Sequence, residues 1–329
     1  MKRVITTICF CALFYTGFAQ IDQSLSYEEF QTRAVDLLRK SNIDSAIIIM
    51  EYAVTNFPEE EQWSTNFLAQ LNIRSGNNAK AVEIWKAGME KGYNYHLTNP
   101  LYDRYFKDDS DFQKLVNIEK EKIDRSHIKH EVFLPSSYSE SNNYPLIFIF
   151  HGNNRNIESA KTSWTSQTMT DKYITVFLQS YIYSNDINYA WTSGDAKTEM
   201  EFKDIYGKIL TGYSVDTTKI ILAGMSAGGR LSLEFAFNEF VPVSGLVLNC
   251  PVVPENIGDE LIDQFVAKKH KIAIITGDKD FALEGQKGLV SKINEKGGQA
   301  RITVSKDAGH EFVEGFSDLL SDYLKWIIE

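Results

Sequence analysis

The sequence predicts an α/β protein, a doubly wound and mostly parallel sheet preceded by a small all-α region. Three observations predict it. From about residue 130 onward, short apolar runs alternate with amphipathic helical patterns, and several runs are apolar at every position, as strands buried on both faces are. Residues 20–125 carry helical periodicity and an internal repeat instead. Between the two best-defined patterns of the second half, the stretch 219–237 (KIILAGMSAGGRLSLEFAF) joins an apolar run to a helix through Gly-x-Ser-x-Gly, the strand–turn–helix setting of a nucleophile elbow.

The 329 residues, 43% hydrophobic and 24% charged, leave room for one sizeable core plus a smaller domain. A net charge of −10 argues against a nucleic acid or an anionic membrane as partner. Residues 1–19 are read as an export signal: Lys2 and Arg3 are basic, 8–18 (ICFCALFYTGF) is apolar, and Gly17-Phe18-Ala19 offers small residues for cleavage before Gln20. That run is short for a bilayer, so no membrane span is expected after cleavage. Loss of Lys2 and Arg3 takes the charge from −10 to −12. Cys9 and Cys11 leave with the signal, so Cys250, read as a small buried residue at a strand end, has no partner for an internal disulfide.

In the region 20–125, Ala34, Ser41, Ala46, Met50 and Ala53 recur 35 residues later as Ala69, Gly76, Ala81, Trp85 and Gly88. Small residues return where antiparallel helices would touch, a bulky one returns between them, and Pro58 closes the first unit. The spacing resembles the tetratricopeptide repeat, and that resemblance implies stacked helical hairpins with a possible protein partner. The plainer reading is a helical hairpin packed on its neighbour with no binding role. Tyr93, Tyr95, Tyr102, Tyr105, Phe106 and Phe112 are expected to cap or dock these helices, and the charged stretch 119–122 to be a solvated face. His127 and His130 stand three apart without a third ligand nearby, so no metal site is expected there.

The second domain is expected at 126–329. Strands are read at 130–134, 146–150, 174–178, 220–223, 246–248, 272–275 and 301–304, with the last alternating as an edge strand would. Helices are read at 199–210, 228–240, 259–268, 283–295 and 316–327. Ligands of such sheets bind beyond the carboxyl ends of the strands. There the sequence carries His151-Gly152-Asn153-Asn154, then Ser226, then Gly277-Asp278-Lys279-Asp280, then Gly309-His310. Ser, Asp and His thus follow in the chain order of the α/β-hydrolases.

Residues 130–329 resemble the esterases of the α/β-hydrolase family, and among them polyhydroxybutyrate-depolymerase-like and feruloyl- or acetyl-ester-cleaving members. VFLPSSY, YPLIFIFHG, GMSAGG, GDKD and AGHEF carry the resemblance. It implies a Ser-His-Asp triad, an oxyanion hole and an acyl-enzyme, with no metal and no cofactor. The oxyanion loop, HGNN here, is poorer in glycine than is usual in that group, and GMSAGG also occurs in oligopeptidase-type hydrolases.

On this reading Ser226 is the nucleophile, His310 the general base and then acid, and Asp280 the residue that orients the imidazole. Asp280 is preferred to Asp278 because it lies far enough past the turn at Gly277 to fold back over the sheet, and to Asp307, which is too near His310 in the chain. Backbone N–H groups of Asn153 and Ala227 would stabilise the oxyanion. His151 is read as a structural hydrogen-bonding residue and His270 as solvated. The loop 181–197 is rich in aromatics; ordinary loop packing is the plainer reading, and Tyr189 and Trp191 are its candidates for stacking on a substrate. The segment between 250 and 271 is too short for a large lid. Three functions follow: an exported serine esterase acting on a small or carbohydrate-linked acyl ester; an oligopeptidase-type serine peptidase; and a repeat-containing interaction protein with a vestigial hydrolase domain.

Overall fold

The computed structural model describes residues 24–184 and 188–329. The expected export signal, residues 1–19, lies outside them. The chain divides into two compact units between Lys91 and Gly92.

The first unit contains α1 (Tyr27–Arg39), α2 (Ile43–Asn56), α3 (Glu61–Arg74) and α4 (Asn78–Glu90), each packed on the next. The 35-residue recurrence has a structural counterpart. Ser41 and Gly76 both take positive φ at the turn, and Asn42 and Asn77 cap α2 and α4 by accepting from Ser45 and Lys80 N–H groups. Met50 and Trp85, the recurring bulky pair, are both fully buried.

The second unit begins with α5 (Asp103–Phe106) and α6 (Ser110–Arg125). The boundary expected near residue 125 therefore falls inside a compact unit. The Lys197 ammonium explains why: it donates to the carbonyls of Ile123, Asp124 and Ser126 at 3.0, 2.8 and 2.6 Å, satisfying the end of α6 from the sheet domain. Ile123 also packs on the sheet's core. Nor is 119–122 wholly solvated, since Glu119 is buried and accepts from the Tyr95 and Thr98 N–H groups. Phe106 and Phe112 stack on each other with centroids 4.5 Å apart.

The rest alternates as expected: β1 (Lys129–Phe133), β2 (Tyr144–Phe150), α7 (Ile157–Ser163), α8 (Gln167–Lys172), β3 (Ile174–Gln179), β4 (Ile182–Tyr183), β5 (Tyr189–Ala190), α9 (Ala196–Gly212), β6 (Val215–Met225), α10 (Ala227–Phe237), β7 (Gly245–Asn249), α11 (Asp259–Ala267), β8 (Lys271–Gly277), α12 (Leu283–Glu295), β9 (Gln299–Ser305) and α13 (Phe316–Ile328). The main sheet runs β1-β3-β2-β6-β7-β8-β9, parallel except where β1 pairs with β3. Side-chain alternation splits the apolar strands between two cores. Leu146, Phe148 and Phe150 face α9–α12, while Ile147 and Ile149 face α7, α8 and α13. This is why the strands read as continuous apolar runs. It also makes the architecture a mostly parallel sheet with helices on both faces.

Strand order reverses at β2, which lies between β3 and β6. A crevice opens at such a switch point beyond the strand ends. Phe150 of β2 stands opposite Gly224 of β6, so His151–Asn153 and Ser226 leave the sheet side by side.

Candidate active site

Ser226 is held on a strained turn, with φ 53° and ψ −114°, a region that non-glycine residues rarely adopt. The surrounding glycines are a steric requirement. A Cβ on Gly224 would lie 2.4 Å from the Gly228 carbonyl carbon, and one on Gly228 would lie 2.4 Å from both the His151 and Phe150 carbonyl oxygens. A Cβ on Gly229 would lie 2.9 Å from Pro251 Cβ. Strand β6, helix α10 and the loop after β2 thus meet at van der Waals limits only because these positions lack side chains. The Ser226 N–H donates to Asn249 O at 3.0 Å, tying the turn to the end of β7.

Ser226 Oγ lies 2.7 Å from His310 Nε2, and His310 Nδ1 lies 3.0 Å from Asp280 Oδ1. With the Nδ1 proton donated to Asp280, Nε2 is free to accept from the Ser226 hydroxyl. The three sequence candidates are therefore one hydrogen-bonded chain.

Asp280 is 6% exposed and sits in a dense set of donors. Oδ1 also accepts from the Ala282 N–H at 2.8 Å, while Oδ2 accepts from Thr276 Oγ1 at 2.9 Å and Gln286 Nε2 at 3.3 Å. Burial raises its pKa, but the bonds from Ala282, His310, Cys250 and Thr276 outweigh that and hold it at about 2. The rival carboxylates lie elsewhere. Asp278 is exposed, and Asp307 pairs on the surface with Lys279 at 2.9 Å.

The acid and histidine loops are zipped together by backbone. Asp278 N–H donates to Ser305 O and Lys279 N–H to Ala308 O, each at 2.9 Å. A Cβ on Gly277 would lie 2.1 Å from the Ala308 oxygen, so this crossing also needs glycine. Asn249 Nδ2 and Cys250 Sγ donate to the Glu311 carbonyl at 3.1 and 3.3 Å, holding the residue after His310. Cys250 is buried as expected, and burial, then Asp280, pushes its thiol up to about 12. Donor atoms of Cys250, Asp280 and His310 lie within 4.8 Å of one another, a spacing a metal could span. Each of these atoms already has a hydrogen-bond partner from the protein.

The Ala227 N–H is the first of α10, which begins at Ser226 with no side-chain cap, so it belongs to the unpaired donors of a helix start. Asn153 is exposed, and its Oδ1 accepts from the Trp191 N–H at 2.9 Å. His151 braces the same loop: its ring meets Gly152 O through Nδ1 at 2.7 Å, and Nε2 accepts from the Ser180 N–H at 3.2 Å. Burial, opposed by the Gly152 bond, lowers its pKa to about 4, so this imidazole is neutral near neutral pH.

The aromatic candidates divide. Trp191 is 5% exposed, its ring packed on Phe150 and His151 with centroids 5.4 and 5.1 Å away. It serves the core and offers no open face for stacking, which corrects its assignment as a substrate-stacking residue. Tyr189 is half-buried in β5 beside Tyr183, at 5.1 Å between centroids. His270 is likewise not solvated: it is half-buried against Phe265, and burial lowers its pKa.

Four residues of the site escaped the sequence reading: Thr276, Gln286, Asn249 and Phe281. Gln286 lies in the first turn of α12, six residues beyond Asp280, where an amide on a buried helix face carries no motif. Phe281 directly follows the acid and lies against the His310 ring.

No protein-family model and no curated protein matches the chain. Solved structures do. An uncharacterized protein from Bacillus cereus ATCC 10987 is similar over 92% of this chain and 99% of its own, at 20% identity and TM-score 0.52. A ferulic acid esterase is similar over 61% of this chain and 92% of its own, at 18% identity and TM-score 0.50. The esterase PE8 covers 61% of this chain and 99% of its own, at 16% identity and TM-score 0.49. At these identities the likeness speaks to the fold alone, and the fold of the second unit is that of the α/β-hydrolases.

Proposed function

We propose that this protein is an exported serine hydrolase that cleaves a carboxylic ester, small or carbohydrate-linked, through an acyl-enzyme. The observation that carries the reading is the continuous chain from Ser226 Oγ through His310 to Asp280, at 2.7 and 3.0 Å. A neutral serine hydroxyl becomes nucleophilic when a base takes its proton as it attacks. His310 Nε2 takes that proton, Oγ adds to the ester carbonyl, and the oxyanion forms beside the Ala227 and Asn153 N–H groups. His310 returns the proton to the departing alcohol oxygen, leaving an acyl group on Ser226. Water, deprotonated by the same imidazole, then adds to the acyl carbonyl; the bond to Ser226 Oγ breaks, the imidazolium returns its proton to Oγ, and the acid leaves. Asp280, anionic through the working pH range, holds the imidazole tautomer and stabilises the imidazolium.

The fold shared with a ferulic acid esterase supports ester chemistry of this kind. Residues 1–19 support export by their charge and apolar pattern. The recurring cap and turn positions of α1–α4 support a tetratricopeptide-type unit, with a protein partner as its role. Among the described residues no helix is long and apolar enough to cross a membrane.

The test is a fluorophosphonate probe followed by an ester screen. Wild-type protein should be labelled at Ser226, and folded Ser226→Ala should stay dark. Acetates and feruloylated or acetylated sugars should be turned over faster than aminoacyl anilides. Equal labelling of the two proteins removes the reading, and faster anilide cleavage turns it towards a peptidase.

A further inference from the structure

Phe281 is the most exposed large hydrophobic residue described, at 76%, yet its ring centroid lies 4.6 Å from that of His310 at an interplanar angle of 32°. A single exposed apolar ring is ordinary on a protein surface; this one is set apart by lying against the imidazole that hydrogen-bonds Ser226 Oγ. The backbone that carries it is tied on both sides: Asp280 by its donors, and Ala282 by its bond to Asp280 Oδ1.

The chemistry says which part of a substrate meets this ring. His310 Nε2 must reach both Ser226 Oγ and the departing oxygen, so the leaving group lies on the imidazole side of the tetrahedral centre. The oxyanion lies on the other side, towards the Ala227 and Asn153 N–H groups. Phe281 flanks the imidazole and follows the acid in the chain, so it borders the leaving-group side. Aromatic faces gain from stacking on flat partners with little exposed polarity.

We propose that Phe281 is the wall of the alcohol site and selects esters whose alcohol presents the apolar face of a ring, whether an aryl group or the C–H face of a sugar. This rests on the serine-hydrolase reading above and names a substrate class for it. Trp191, one of the two aromatics named as candidates for such a role, is packed inside the domain.

The experiment holds the acyl group constant and varies the alcohol: ethyl acetate, phenyl acetate and a mono-O-acetylated methyl glucopyranoside, with wild type, Phe281→Ala and Phe281→Trp. Phe281→Ala should lose roughly tenfold in kcat/KM on a ring-bearing acetate, mostly through KM, and clearly less on ethyl acetate. Phe281→Trp should recover most of that loss. Loss on phenyl acetate alone assigns the wall to aryl alcohols, and loss on the sugar acetate alone assigns it to carbohydrate. A loss equal on all three acetates and carried by kcat overturns the proposal, since the ring would then act by holding His310. So does no loss on either ring-bearing acetate. Fluorophosphonate labelling separates the two failures: labelled Ser226 with uniform loss removes only the Phe281 assignment, whereas wild type neither labelled nor active removes the hydrolase reading and this inference with it.

Discussion

The two halves of the site are positioned by different physics. On the elbow side, Ser226 is where it is because Gly224, Gly228 and Gly229 let backbone approach backbone where any Cβ would fall within 3 Å of another atom. On the acid side the backbone crossing at Gly277 is steric too, but the Asp280 carboxylate beyond it is placed by the bonds it accepts from Ala282, Thr276, Gln286 and His310. Steric fixation is intolerant, since one added carbon has no small accommodation. Fixation by hydrogen bonds is distributed, so single losses leave the fold standing and show up as rate. The elbow should therefore fail by unfolding and the acid loop by lost catalysis.

The sharpest way to break that contrast is Gly228→Ala. Its Cβ would meet two carbonyl oxygens at 2.4 Å, and relief requires α10 to move off β2. We expect a cost of roughly 3 kcal/mol or more, a thermal midpoint lowered by several degrees and no fluorophosphonate labelling. A well-folded, labelled Gly228→Ala protein would show that the elbow has slack the geometry denies.

Asp280→Asn should do the opposite. The side chain keeps its volume, but it has one carbonyl oxygen in place of two: with that oxygen facing Thr276 and Gln286, its NH2 group faces the Ala282 N–H and His310 Nδ1. The imidazole loses its anionic partner and settles in the wrong tautomer, so kcat should fall by about 10⁴ with a cooperative unfolding transition retained. Circular dichroism melts beside steady-state rates on one acetate check both halves. Unfolding in place of rate loss would place Asp280 with the glycines.

How legible each half was follows from the same difference. Glycine spacing around Ser226 is a local pattern, and the strands beneath it are apolar at every position because Ile147 and Phe148 feed different cores. Both can be read from neighbours in the chain. Which carboxylate meets His310 was also legible, since turn geometry at Gly277 separates Asp278 from Asp280. Its supports were not: Thr276, Gln286 and Asn249 act through partners that only the fold brings near. Short elements were invisible for another reason. Helices α7 and α8, with 7 and 6 residues, and the two-residue strands β4 and β5 are too brief for periodicity to declare them. Composition does not say which way a ring faces, so stacking and loop packing could not be told apart at Trp191 until its burial matched the packing reading. Charge misled over Glu119 because two backbone N–H groups can satisfy a buried carboxylate as well as water does.

The oxyanion loop belongs to the steric side, yet it contains one titrating group, and pH sharpens the comparison there. The buried His151 has a folded-state pKa of about 4, below the ordinary histidine value of about 6.5. Above pH 6.5 both folded and unfolded chains hold it neutral, and its contribution to stability is complete. As pH falls towards 4, the unfolded chain takes up a proton that the folded chain refuses, so stability falls. At about 1.4 kcal/mol per pH unit the full loss is about 3 kcal/mol. Urea midpoints at pH 7 and pH 5 should therefore diverge more in wild type than in His151→Gln, by about 2 kcal/mol. Equal divergence would mean that the acid sensitivity of the fold arises elsewhere.

The smallest expected effect discriminates most finely within the acid loop. Asp278 and Asp280 follow the same strand two residues apart, and a sequence motif could use either. Asp278 contributes its backbone N–H to Ser305 O, but its exposed carboxylate has no hydrogen-bond partner among the described residues. Asparagine keeps the backbone donor and suits a turn equally well. Asp278→Asn should therefore change stability by no more than about 0.5 kcal/mol and kcat by less than about threefold. Removing a surface negative charge some way from the imidazolium is screened by solvent and salt. The measurement is a side-by-side kcat for Asp278→Asn and Asp280→Asn on one ester at two ionic strengths. If Asp278→Asn is the variant whose kcat collapses, the 3.0 Å bond between His310 and Asp280 is not the one that orients the base, and the acid loop must rearrange when substrate binds.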